Sequence, residues 1–173
     1  LNIGSDGVAP ALAQGTTIVP GNATVAQTMS VVSSSGATFS IPIETGASAN
    51  SAAKSLNAVL KNSGIKAEAE TRVELFDFQS TGVVSFELEA GNRVPVEISA
   101  DITPTNLSNL AAAINKVSSE TGLVAVTSAD NARLILTSDA GDDIAVSGIG
   151  ISSPEFFGRL INEDAVAQTS PVG

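Results

Sequence analysis

Asn106-Leu-Ser-Asn-Leu-Ala-Ala-Ala-Ile-Asn-Lys116 is followed by Thr121-Gly-Leu-Val-Ala-Val126 and then by Ala132-Arg-Leu-Ile-Leu-Thr-Ser138, so the apolar period changes within one short stretch. In the first piece Leu107, Leu110, Ala111, Ile114 and Val117 recur at three- and four-residue intervals, which predicts a helix with one buried stripe. Thr103 is placed to cap that helix and Pro104 to fill its first position, where a missing amide costs nothing, while Gly122 supplies a left-handed residue at its end. The following pieces are rich in β-branched and aliphatic residues and flank Asp130-Asn131. Leu123 to Val126 and Ala132 to Thr137 therefore read as a hairpin, with a further short strand at Ile144 to Val146.

Working upstream, Val83 to Glu89 alternates with Val84, Phe86 and Leu88 on one face, Ala90-Gly91-Asn92 turns, and Val94, Val96 and Ile98 run back with Pro95 among them. The same order occurs earlier in the chain. Val25, Met29 and Val31 alternate up to Val32, Ser33-Ser34-Ser35-Gly36 makes a turn, and Phe39, Ile41 and Ile43 return. Pro42 has no amide to donate, so this strand belongs at an edge or turns Pro42 away from its neighbour. A helix over about 50–62 follows, with Ala49, Ala52, Ala53, Leu56, Val59 and Leu60 on one face, Ser48 or Asn50 as cap and Gly64 at its end. Ile65, Ala67 and Ala69 then alternate with Lys66, Glu68 and Glu70, and Val73, Leu75 and Phe76 continue in one long strand or a second one.

Laid over each other, the helix run Leu56 to Leu60 meets Leu110 to Ile114, and Ser63 to Ala67 meets Thr121 to Ala125, with four extra residues before the second Gly. The expectation is an internal repeat with a period of roughly 55 to 58 residues. The chain then divides into an irregular segment 1–22 with a short strand at Thr16 to Val19, a first hairpin-helix-strand unit 23–80, a second unit 81–150, and a segment 151–173. In the last of these Ser153 caps and Pro154 opens a short helix bearing Phe156, Phe157, Leu160 and Ile161, followed by a tail. The fold class expected is α+β: two related units, each an antiparallel twisted sheet with one helix packed on its face.

Composition narrows the function. The 173 residues include no Cys, His, Trp or Tyr, so disulfides, thiolate metal sites and imidazole acid–base chemistry are all closed. A net charge of -10, from 18 acidic and 8 basic residues, repels phosphate backbones and anionic lipid, so neither nucleic acid nor membrane is an expected partner. No apolar run approaches the roughly 20 residues that span a bilayer. The expected description is non-catalytic, with no catalytic, cofactor-binding or metal residues and no cofactor. Asp139, Asp142 and Asp143 make an acidic loop, but the twelve-residue calcium loop with its terminal Glu is missing, so a polar turn is the simpler reading. Phe76 and Phe78 flank Asp77 and could form a sugar-stacking platform, although two residues on one strand face belong more naturally in a core. Asn22-Ala-Thr24 and Asn106-Leu-Ser108 match the N-glycosylation triplet, with a capping role simpler for Asn106.

The stretch 106–138 resembles the repeat motif of bacterial flagellins and hook-associated proteins: a helix with Ala-Ala-Ile-Asn, a Thr-Gly step into a Val-Ala strand, and an Arg-Leu-Ile-Leu strand ending in Thr-Ser. The likeness covers about 94–146, and Ser55 to Glu70 resembles a degenerate second copy. The resemblance implies an outer, variable region of a flagellin, extracellular on the bacterial flagellum, shaping the filament surface in motility. It implies contacts with other flagellin subunits through segments absent from this chain, with host or surface contacts open to the outer loops and the isolated fragment monomeric. Some relatives carry an inserted zinc protease, which the lack of His excludes. The resemblance also implies O-glycosylation in the loops, with Ser33, Ser34 and Ser35 as candidate acceptors. Alternatives are a domain of a hook-associated or filament cap protein, which shares the motif, and a secreted carbohydrate-binding or adhesin module.

Overall fold

The computed structural model describes residues 24–91, 93–150 and 152–161, together with the backbone of 11–12. The predicted strand at Thr16 to Val19, the Asn22 triplet and the tail after Ile161 lie outside the described residues. The fold is α+β, with three antiparallel sheets. In chain order the elements are β1 (Ala11–Leu12), β2 (Gln27–Val32), β3 (Thr38–Ile43), α1 (Ala49–Leu60), β4 (Thr71–Phe76), β5 (Gly82–Ala90), β6 (Val96–Ile102), α2 (Ser108–Lys116), α3 (Ser118–Thr121), β7 (Val124–Thr127), β8 (Leu134–Ser138), β9 (Ile144–Ser147) and β10 (Phe156–Leu160).

The smaller body is the β2–β3 hairpin with α1 laid on it. Ser33 accepts the amide of Ala37 through its hydroxyl, and Gly36 takes the left-handed conformation that reverses the chain. The inward residues Met29, Val31, Phe39, Ile41 and Ile43 meet Ala52, Leu56 and Leu60 of α1. Ser48 caps α1 by accepting the Ser51 amide at 3.1 Å. Two residues expected on the buried faces are instead exposed, Val25 ahead of β2 and Val59 at the rim of α1. Pro42 pairs with Thr28 in a sheet that is two-stranded among the described residues, at a non-hydrogen-bonded position of the ladder where no amide is needed toward β2.

The larger body has one core between two sheets and a helix. One sheet has the order β6-β5-β9, the other β1-β10-β4-β8-β7. Val84, Phe86 and Leu88 of β5 face Leu75 of β4, Leu134 and Leu136 of β8, and Phe156 of β10, while Leu107, Leu110, Ala111 and Ile114 close the remaining side. Burying each large side chain contributes roughly 1.5–3 kcal/mol, and this core holds most of them. β4 follows α1 in sequence but is hydrogen-bonded to β8 and β10, so its side chains enter the larger core.

Three local expectations are corrected. The helix predicted after Pro104 begins at Ser108, because Thr103 and Asn106 bond each other's backbone in both directions and make 103–106 a closed turn. Asn106 then accepts the Ser108 amide at 3.0 Å, in the capping role, although Leu107 occupies the cap position itself. Pro95 precedes β6 instead of interrupting it, and Val94 is exposed. Residues 156–160 form a strand, not the short helix predicted over 151–173. Phe156 and Gly158 face inward, and β4 offers a full row of partners through Phe157↔Phe76 to Leu160↔Val73. Sheet pairing overrides the helical spacing of the apolar residues, and a mid-segment Gly158 costs a helix about 1 kcal/mol. Ser153 serves β5, accepting the Ser85 amide and donating to the Ser85 carbonyl.

Candidate functional site

The stretch 106–138 folds around a side-chain clamp. Asn115 stands at the end of α2 and reaches the strand that follows: its amide nitrogen donates to the Ala125 carbonyl and its oxygen accepts the Ala125 amide, both at 2.8 Å. An extended residue directs both polar groups to one side, so one carboxamide satisfies both, and the edge of β7 that β8 does not use is sealed at Ala125. Between helix and strand, Gly122 is left-handed at φ 73° and its amide bonds the Ser118 carbonyl. Thr121 is fully buried and its hydroxyl accepts the Leu123 amide. Arg93 lies over Gly122 and donates to the Glu120 carbonyl at 3.1 Å.

The same arrangement stands 58 positions earlier. Asn57, on α1, bonds the amide and carbonyl of Ala67, again at 2.8 Å each. Ser63 accepts the Ile65 amide as Thr121 accepts that of Leu123, and Gly64 is left-handed at φ 75°. Along the helices Ala52 stands where Leu110 does and Leu56 where Ile114 does, all four buried. The helix alignment expected from sequence, Leu56 on Leu110, is thus one turn out of register with these bonds, and no four-residue insertion is needed.

Beyond the clamps, the outer face of the five-stranded sheet collects three of the four arginines. Glu74 is almost fully buried there, between Arg159 of β10 at 2.5 Å and Arg133, ahead of β8, at 3.6 Å. Arg72 pairs with Glu70, and Arg133 also approaches Asp130 at 3.8 Å. Arg159 lies 4.8 Å over the ring of Phe76, which stacks on Phe157 at 5.9 Å.

The other residues singled out from sequence are dispersed. Asp77 adopts φ 56°, so Phe76 and Phe78 leave on opposite sides: Phe78 is buried against Phe156 at 4.7 Å, and the platform they were read to form does not exist. Asp142 accepts from Asn50 at 2.6 Å, the Asp143 carbonyl accepts the Gly91 amide, and Asp139 is exposed. Among the described residues no three His, Cys, Asp or Glu converge on a point that could hold a metal, and no helix is long and apolar enough to cross a membrane. Of the candidate acceptors, Ser34 and Ser35 are exposed, whereas Ser33 is buried and engaged in its turn. The clamp asparagines and the Glu74 cluster escaped sequence reading. An ungapped offset of 58 would have set Leu56-Asn57 on Ile114-Asn115, whereas Glu74 carries no local signal.

These features define a class: antiparallel helix-on-sheet architecture with a buried Glu74 held between two arginines on one sheet face. Residues 80–140 of the 173 match the family model described as the flagellin hook IN motif, spanning β5 to β8 with α2 and its clamp. The chain therefore carries that motif and is flagellin-like in this part, which supports a flagellin- or hook-related structural protein. No curated protein matches the chain.

Proposed function

We propose that this chain is a surface-exposed, non-catalytic outer domain of a flagellar filament subunit, built from two copies of the motif and displayed to the medium. The observation that carries it is the recurrence, 58 positions upstream of Asn115 and Ala125, of the identical clamp between Asn57 and Ala67. Residues 80–140 match the motif, and the same offset lays a first copy over about 22–82, which supports reading the units 23–80 and 81–150 as a duplication. Stacked units with satisfied cores suit a part whose work is to set a surface, contribute to motility and present exposed loops such as Ser34 and Ser35.

Antibodies raised against the chain, followed by immunogold microscopy of the bacterium, test the reading. Labelling along the whole filament is expected. The motif's description also names the hook, and labelling confined to the filament tip or the hook junction would assign the chain to a cap or hook-associated protein. Labelling of the cell wall in cells stripped of flagella would make it an adhesin.

A further inference from the structure

Between Gly64 and β4 the chain runs through Ile65–Glu70 without turn or bend, and its burial alternates: Ile65, Ala67 and Ala69 are half-buried, Lys66, Glu68 and Glu70 exposed. In the 58-residue register this segment corresponds to β7, and the two differ in one respect. β7 is gripped at Ala125 by Asn115 and zipped along its other edge to β8, at Val124↔Thr137 and Val126↔Ile135. Ala67 is gripped by Asn57, but no strand among the described residues takes the place of β8. Successive residues of an extended chain send their polar groups to opposite sides, so the grip on Ala67 leaves the amides and carbonyls of Lys66, Glu68 and Glu70 on the free edge. Among the described residues no group bonds them.

We propose that this edge pairs with the same segment of a second copy of the chain, antiparallel and two-fold about Ala67. Charge selects the occupant. Charges on an edge ordinarily oppose self-pairing because like meets like. Here the two-fold sets Lys66 opposite Glu68 of the second copy and Glu68 opposite its Lys66, so both cross-strand pairs are opposite in sign. Within one chain these two side chains already meet at 2.8 Å and are more than three-quarters exposed, so they reach outward together. The chain is otherwise strongly acidic, and a foreign acidic strand would find one cation against two carboxylates here. The contact is short and therefore weak between free copies, and it strengthens where copies are held side by side. It replaces the monomer expected from sequence and does not depend on the filament reading.

Sedimentation of the full chain from micromolar to millimolar concentration tests it, with amide hydrogen exchange as the second readout. The wild type dimerises, with protection at 66 and 68 growing with concentration. Lys66→Glu makes every facing pair repulsive and weakens association by about tenfold. The double exchange Lys66→Glu with Glu68→Lys keeps the pairs complementary and restores it. Glu68→Pro removes one edge amide and abolishes it, while Asn115 and Ala125 report that the fold persists. A dimer indifferent to Lys66→Glu overturns the proposal, as does a monomer at millimolar concentration. If that monomer protects the 66 and 68 amides, a segment of the same chain fills the edge; if it exchanges them freely, the edge is empty.

Discussion

Asn57 and Asn115 lie 58 positions apart in the chain and each holds an alanine ten residues further on by the same two 2.8 Å hydrogen bonds. The rest of each helix-to-strand connection is built to let that grip form: a left-handed glycine aims the chain back, and a Ser or Thr hydroxyl fixes the first amide after it.

The clamp should be measurable. Asn115→Ala removes two bonds and leaves the Ala125 groups to water at the edge, and about 1–3 kcal/mol of unfolding free energy is expected to be lost in urea titration. Asn115→Asp keeps the acceptor but sets a negative oxygen against the Ala125 carbonyl, so it should recover none of the loss.

Gly141 is where the two bodies touch. It has φ 73°, and a Cβ there would stand 2.5 Å from that of Ala69 and 3.0 Å from the Asn50 amide, which bonds the Gly141 carbonyl. Gly141→Ala should therefore cost on the order of 1–3 kcal/mol and release the start of α1, read as faster exchange at the Asn50 amide. Unchanged exchange there would show that the contact is incidental.

The arginine cluster predicts an asymmetry. Arg159→Ala removes both the shortest partner of the buried Glu74 and the cation over Phe76, so it should destabilise more than Arg133→Ala, whose contact is 3.6 Å. Thermal unfolding of the two variants, with Glu74→Gln as the reference that removes the charge itself, checks the order.

Asp130 carries a pH signature. The Ser128 hydroxyl at 2.5 Å, then the Ala132 amide and Arg133, hold its carboxyl below the ordinary value. A carboxyl lowered in the folded state contributes stability above its unfolded value and loses it as pH falls through the folded one. A carbon-detected NMR titration should place its midpoint below that of a model peptide, with exchange at the Ala132 amide rising only at the acid end. The group is fully exposed, so global stability should hardly move.

Much of this fold was legible because its period changes are sharp. Val84, Phe86 and Leu88 alternate as a strand buried on one face must, and Leu107 to Ile114 repeat as a helix stripe must. The errors have physical causes. Phe156 to Ile161 have helix-like spacing, and only the long-range partnership with β4 makes them a strand. Phe76 and Phe78 obey the two-residue rule until Asp77 turns left-handed, a choice that side-chain pattern does not announce. The clamp asparagines were hidden because polar residues at a helix end read as solvated surface, and the pair of alanines they seize lies ten residues away. Glu74 reads as an outward residue on an alternating strand, and only the neighbouring strands bring its arginines.

The Asn50 contacts, from its amide to the Gly141 carbonyl and from its side chain to Asp142, have a mechanical meaning. They tie the hairpin body to the larger one at a second point, in addition to the covalent path through 65–71. A body anchored twice cannot swivel freely about its tether. On the proposed filament, fluid drag on the hairpin would load both anchors in shear instead of turning it about a single tether.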